Sequence, residues 1–248
     1  MADRLIFTCE HGGCLVPPEY SHLFRGQTKV LKSHRGYDPG SLELAERCAA
    51  RFEAPLISCT TTRLFVELNR SLGHPRLFSE SMASVDLAER QRLLDQYYHP
   101  YRKKVEKLVA DTIARGHRAV HISVHSFTPV LDGQVRRGDV GLLYDPRRAG
   151  ERAFCHRWQQ TLLQRRPDLT VRRNYPYLGR SDGFTTHLRR YFAPTDYLGI
   201  ELEVNQSWPT GSRAAWGQLQ LSLVDSLADA RKSDHDGRNS PTTAKRAN

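Results

Sequence analysis

Reactive side chains in this sequence collect where short apolar runs stop. Leu5–Cys9 leads into Glu10-His11-Gly12-Gly13, Ala119–Val124 into His125-Ser126, and Arg63–Leu68 into Asn69-Arg70; Tyr197–Val204 carries Glu201 and Glu203 just ahead of Asn205. Open α/β sheets bind ligands beyond the carboxyl ends of their strands, so these four ends could converge on one site. Neutral imidazole is a good ligand for a divalent metal, and a catalytic zinc takes three protein ligands and leaves a position for water. A lone histidine on an apolar strand is ordinarily a core residue; the pair His11 and His125 points to metal. The third ligand should be a carboxylate. Asp38, in the glycine-flanked loop HRGYDPGS before a helix, is the first choice. Glu10 is the runner-up, because neighbouring side chains on a strand point oppositely, and His34 is a third option. His121 would stand about 13 Å from His125 along the same face, too far to share an ion.

The elements that must position these groups alternate in type. Helical spacing runs over Ser41–Phe52, over roughly Ser84–Arg115 with a possible break at Pro100, over Ala149–Gln164, and over Trp216–Ala230. Further strand patterns cover Pro55–Cys59, Val140–Tyr144 and Leu169–Arg173. The alternation predicts a single α/β domain over residues 1–231, with a mixed, largely parallel sheet flanked by helices. The polar stretch 232–248 lacks aromatics and reads as a disordered tail.

Composition narrows the functional classes. With 248 residues, 39% hydrophobic and 26% charged, the chain can build a substantial core. It has no apolar run of about 18 residues, so no membrane span is expected. MADRLIFTCEHGG lacks the apolar core and cleavage site of a secretory signal, which predicts a cytoplasmic protein. The five cysteines are scattered and read as free thiols; Cys9, beside the histidine motif, is the one candidate nucleophile. The net charge of +10 is spread along the chain with no helix-turn-helix or aromatic-interleaved RNA pattern, so nucleic-acid binding is not expected. Arginines that bind carboxylates through paired hydrogen bonds suit a small acidic substrate. The oligomeric state is left open.

Six pieces in order resemble the N-formylglutamate amidohydrolase family: FTCEHGG-x3-PP, GYDPGSLELAERCA, TRLFVELNRS, VHSF, NYPYLGRSDGFT and GIELEVNQ, spanning Phe7 to Gln206. The family is similar in fold to zinc carboxypeptidases and aspartoacylase-type deacylases. The resemblance implies zinc-assisted hydrolysis of an N-acyl amino acid, N-formyl-L-glutamate giving formate and glutamate, with iron, cobalt or nickel as alternatives to zinc. It implies His11, Asp38 and His125 as metal ligands, although the His-x-x-Glu spacing of the carboxypeptidases is absent, since Cys14 stands three residues after His11. Asn69-Arg70 resembles the pair that grips a substrate carboxylate, and Glu203 resembles the general base, with Glu201 on the same face as its rival. Arg63 is a candidate for the oxyanion. If residues 63–68 form a strand, Arg63 and Arg70, seven apart, face opposite ways. Arg180, in the turn-rich loop Asn174–Arg180, is a candidate for a second substrate carboxylate. Glu67 reads as orienting Arg63 or Arg70, and His187 as a helix-surface residue.

Overall fold

The computed structural model describes residues 1–238. Its elements are β1 (Asp3–Cys9), α1 (Thr28–Leu31), α2 (Ser41–Phe52), β2 (Leu56–Ser58), α3 (Leu87–Leu93), α4 (His99–Ala114) and β3 (Arg118–Phe127). There follow a small hairpin, β4 (Val130–Leu131) and β5 (Gln134–Val135), then β6 (Val140–Leu143), α5 (Ala149–Arg165), β7 (Val171–Arg173), α6 (Phe184–Leu188), β8 (Tyr197–Asn205) and α7 (Arg213–Arg238). Six strands form one sheet in the order β2-β1-β3-β8-β6-β7. The first four are parallel, and β6 with β7 runs the other way. This is the mixed, mostly parallel α/β sheet that the alternation of patterns predicts. Among the described residues no helix is long and apolar enough to cross a membrane.

The central strands are buried along almost their whole length because helices cover both faces. Alternation sorts their side chains. Phe7 and Cys9 of β1, Ile122 and Val124 of β3, and Ile200 and Leu202 of β8 enter one core with Leu44, Trp158 and Trp216. This core is closed by α2, α5 and α7. The residues between them face the opposite layer: Thr8 and Glu10, then His121, Ser123 and His125, then Glu201 and Glu203. That second layer is filled by Phe65, Val105, Val109 and Phe184. The polar residues of three adjacent strands therefore share one face toward the carboxyl end.

Two local departures from the sequence reading matter for the site. Residues 63–68 are not a strand but a chain of turns. Phe65 N bonds to the Thr62 carbonyl at 3.0 Å and Glu67 N to the Leu77 carbonyl at 2.9 Å, so the backbone groups find partners without a ladder. Its apolar residues look strand-like only because Leu64, Phe65, Val66 and Leu68 are all buried. The two-residue periodicity that would set Arg63 and Arg70 on opposite faces therefore does not apply. Second, β3 continues to Phe127, so His125 and Ser126 lie within the strand and not beyond it.

The long helical region starts at Leu87, where the Asp86 side chain caps the helix by accepting from Glu89 N at 2.8 Å. Pro100 does not break it. A wider π-helical turn, Leu94–Tyr98, precedes Pro100, which sits in the first turn of α4 where its missing N–H does little harm. Helix α7 runs past Ala230 to Arg238; the remainder of the stretch read as a tail, residues 239–248, lies outside the described residues.

Candidate active site

Asp38 is fixed by the start of α2. Its carbonyl accepts from Ser41 N at 3.1 Å and from Ser41 Oγ at 2.7 Å, while Asp38 N donates to the His11 carbonyl at 2.9 Å. Gly40 completes the bend at φ 79°, where a Cβ would also meet Pro209 at 2.4 Å. The loop after β1 is held just as closely: a Cβ at Gly13 would come within 2.5 Å of the Thr60 carbonyl oxygen. These two pinned turns bring together side chains 27 residues apart, and β3 adds His125.

Asp38 Oδ2 lies 3.2 Å from His11 Nδ1 and 2.9 Å from His125 Nδ1. One ligand atom from each of His11, Asp38 and His125 can be chosen so that all three lie within 4.8 Å of one another, and all three residues are buried. This is the one group of its kind among the described residues that could hold a metal ion.

The far nitrogen of each imidazole meets an acceptor. His11 Nε2 is 2.5 Å from Glu67 Oε1. His125 Nε2 is 2.8 Å from Ser123 Oγ and 3.3 Å from Glu10 Oε2. Ser123 Oγ and Tyr101 OH donate to Glu10 at 2.6 and 3.0 Å. Each ring therefore stands between acceptors, Asp38 on Nδ1 and a carboxylate or hydroxyl on Nε2; a neutral ring that donates outward from Nε2 would turn an Nδ1 lone pair toward Asp38. Burial by itself would raise the Asp38, Glu10 and Glu67 carboxyls. Their cationic and hydrogen-bonding neighbours override it and hold all three well below the usual carboxylate range. Burial by itself would likewise lower His125, yet Asp38 and Glu10 drive it well above an ordinary histidine.

Arg63 ties the group together. Its Nε and Nη2 donate to Glu67 Oε2 at 2.8 and 2.5 Å and its Nη1 to Asp38 Oδ1 at 3.2 Å. Asn69 N donates to Glu67 Oε1 at 3.0 Å, and Asn69 Oδ1 accepts from Phe184 N at 2.6 Å. Arg70 Nη1 donates to the Asp182 carbonyl.

On β8, Glu203 stands opposite His125 in the strand register. Its Oε2 is buried and has no hydrogen-bond partner among the described residues. Burial, with the negative charges of Asp38 and Glu201 adding to it, pushes its carboxyl up to about 8. Glu201 differs, since its Oε1 accepts from Thr185 Oγ1 at 2.7 Å.

The remaining candidates are placed elsewhere or otherwise occupied. His121 is a core residue bonded to Thr8 and Tyr197, both at 2.8 Å, and burial lowers it to about 4. Cys9 is buried and donates to Ser41 Oγ at 3.3 Å; desolvation pushes its thiol up to about 12, which makes it a poor nucleophile. Glu10 braces His125 from outside the His11–Asp38–His125 group. His187 pairs with Glu106 at 2.9 Å. Arg180 is exposed.

A cavity of about 490 Å³ is lined by Glu67 and Arg63, which contact His11 and Asp38 of the group, and further by His34, Arg35, Arg70 and Arg76. Three features escaped sequence reading. Glu67 reaches His11 as well as Arg63, which no strand pattern could indicate. Tyr101 approaches Glu10 across 91 residues, a contact visible only once α4 is packed. Arg35 and Arg76 looked like ordinary surface charges.

Residues 3–208 match the family model for N-formylglutamate amidohydrolase, and the chain belongs to that family of amidohydrolases. A solved gene product from Agrobacterium tumefaciens is 27% identical, with a TM-score of 0.78, over 93% of this chain and 91% of that one. The N-formylglutamate amidohydrolase from Ralstonia eutropha is 19% identical, with a TM-score of 0.70, over 95% of each chain, a likeness of fold. No curated protein matches the sequence.

Proposed function

We propose that the protein hydrolyses the amide of an N-acyl amino acid, N-formyl-L-glutamate above all, with a divalent metal held by His11, Asp38 and His125 and with Glu203 as general base. The observation that carries this reading is the bare, buried Oε2 of Glu203 beside a two-histidine, one-carboxylate ligand set. That set suits zinc: three protein ligands, each braced by a second contact, as metal-binding imidazoles characteristically are. The histidine–carboxylate braces are His11 to Glu67 and His125 to Glu10. Iron, cobalt and nickel accept the same ligands.

An ion held there would supply Lewis acidity to the scissile carbonyl and to the attacking water. Glu203 Oε2 takes one proton from that water as the oxygen adds to the formyl carbon. The same atom returns the proton to the nitrogen as the carbon–nitrogen bond breaks, giving formate and the free amino acid. A group raised toward neutrality suits both halves of that exchange, and Glu203 fits better than Glu201, whose oxygen is committed to Thr185. Arg63 keeps N–H groups beyond those used by Glu67 and Asp38, and these serve the developing oxyanion. Asn69 Nδ2 and the unspent donors of Arg70 hold the substrate's α-carboxylate.

The test is metal analysis of the purified protein alongside a panel of N-formyl, N-acetyl and N-succinyl amino acids. About one metal ion per chain, with N-formyl-L-glutamate the fastest substrate, is the expected result. Full activity in protein stripped of metal would overturn the mechanism, and no hydrolysis of any panel member would overturn the function.

A further inference from the structure

The cavity beside the ligand group carries more positive charge than the proposed catalysis uses. Four guanidinium groups line it (Arg35, Arg63, Arg70 and Arg76) against the two carboxylates of Glu67 and Glu80. Glu67 is already matched by Arg63 and His11. Burial, and next the charges of Arg35, Arg136 and Arg63, lower the His34 imidazole, as a positive potential there requires. Such a wall attracts an anion.

The four arginines are not equivalent. Arg63 is bound to Glu67 and Asp38 and its remaining donors are given to the oxyanion, while Arg70 is partly spent on the Asp182 carbonyl. The side chains of Arg35 and Arg76 are exposed, and neither makes a hydrogen bond or ion pair among the described residues. Their backbones, in contrast, are fixed. Arg35 N donates to Ser33 Oγ at 3.2 Å, and the next residue's carbonyl, Gly36 O, accepts from Arg63 N at 3.1 Å and Thr62 Oγ1 at 2.8 Å. Arg76 N donates to His74 Nδ1 at 3.0 Å, and the adjoining Leu77 is tied at both its N and its O. In the same wall, Ser79 Oγ is buried with no hydrogen-bond partner among the described residues. Two free guanidinium groups on pinned loops and an unmatched hydroxyl form a donor set for a carboxylate.

We propose that Arg35 and Arg76, with Ser79, bind the distal carboxylate of the substrate and select N-acyl dicarboxylic amino acids over neutral ones. This rests on the function proposed above. It gives the second carboxylate contact to these two residues and not to Arg180, which does not line the cavity.

The experiment compares N-formyl-L-glutamate with its neutral isostere N-formyl-L-glutamine in kcat/KM, and L-glutamate with L-glutamine in calorimetric binding to the metal-loaded protein. Wild type, Arg35→Met, Arg76→Met, the double variant and Arg76→Lys are compared. Both arginines are exposed, so the variants should fold. The glutamate-over-glutamine ratio is expected to fall about 10- to 100-fold in the double variant, mainly through KM, as loss of charge-assisted hydrogen bonds implies. Arg76→Lys should recover part of what Arg76→Met loses. A ratio in the double variant within twofold of wild type, in both binding and turnover, overturns the assignment. If wild type hydrolyses neither compound yet binds glutamate with an arginine-dependent preference, the recognition site stands and the hydrolytic reading falls.

Discussion

Replacing Glu67 by glutamine tests the brace behind the proposed metal site without changing its volume. Glu67 accepts four hydrogen bonds: from His11 Nε2, from Arg63 Nε and Nη2, and from Asn69 N. A glutamine keeps one acceptor oxygen and turns two N–H donors toward groups that are themselves donors. If the oxygen serves His11, the amide nitrogen meets Arg63, and in the flipped rotamer it meets His11. Loss of an outer contact to a metal-binding histidine weakens affinity about 10- to 100-fold, or roughly 1.4–2.7 kcal/mol. Stability should fall too. Breaking a buried ion pair from one side costs about 3–5 kcal/mol, and the lower end applies because Arg63 keeps Asp38 and is a quarter exposed. At about 2–4 °C per kcal/mol for a chain of this size, metal-free Glu67→Gln should melt roughly 6–12 °C below wild type. Competition titration with a chromophoric zinc chelator reads the affinity, and calorimetry of the metal-free protein reads the stability. An affinity within twofold of wild type would refute the claim that Glu67 orients a metal ligand, even if the melting temperature drops.

His11→Ala and His125→Ala should each lose both bound metal and hydrolysis; stoichiometric zinc in His125→Ala, measured by elemental analysis, would show that the ligand set is wrong. Glu203→Gln should keep its metal and lose turnover by about 10²–10⁴-fold, and an active variant would return the role to Glu201. The same carboxyl makes a pH prediction for metal-free protein. Its folded value of about 8 lies above the ordinary 4.5, so its contribution to stability is complete below about 4.5 and is lost as pH rises through about 8. Melting curves from pH 5 to 9 should show that slope in wild type and not in Glu203→Gln. Cys9→Ala should retain activity within a few-fold while a chelator abolishes it in wild type, and the reverse pattern would make this a thiol enzyme.

The sequence made the sheet legible because its strands are buried on both sides and leave unbroken apolar runs ended by glycine or charge. His11 and His125 were visible for the same reason: polar residues at the ends of apolar runs stand out. Asp38 was reachable because a glycine-flanked aspartate ahead of a helical pattern marks a helix start. The segment 63–68 was misread since burial, not pairing, selects its apolar residues, and a core-filling turn and a buried strand then look alike. Glu67 was read as orienting Arg63 or Arg70, and it does pair with Arg63, but the error hid its contact to His11. Arg35 and Arg76 were hidden for another reason. Nothing in a sequence distinguishes an arginine that solvates a surface from one fixed beside a cavity.

The hydrogen-bond directions around Asp38 say more than the residue types do. In neutral rings, Glu67 and the Glu10–Ser123 pair would each draw the proton to the outer nitrogen of an imidazole, so that the inner nitrogens would present lone pairs to a carboxylate. Two lone pairs and a negative charge then face one another in a buried space, which is stable only with a positive charge among them. In metal-free protein that charge is a proton, and the strongly raised basicity of His125 is its expression. A divalent ion held as proposed would take the place of that proton, so affinity should increase with pH. Seen this way, the outer carboxylates do more than hold rings in place. Once that proton leaves, Glu10 and Glu67, by accepting from the outer nitrogens, leave between His11, Asp38 and His125 a space with acceptors on every side and no donor.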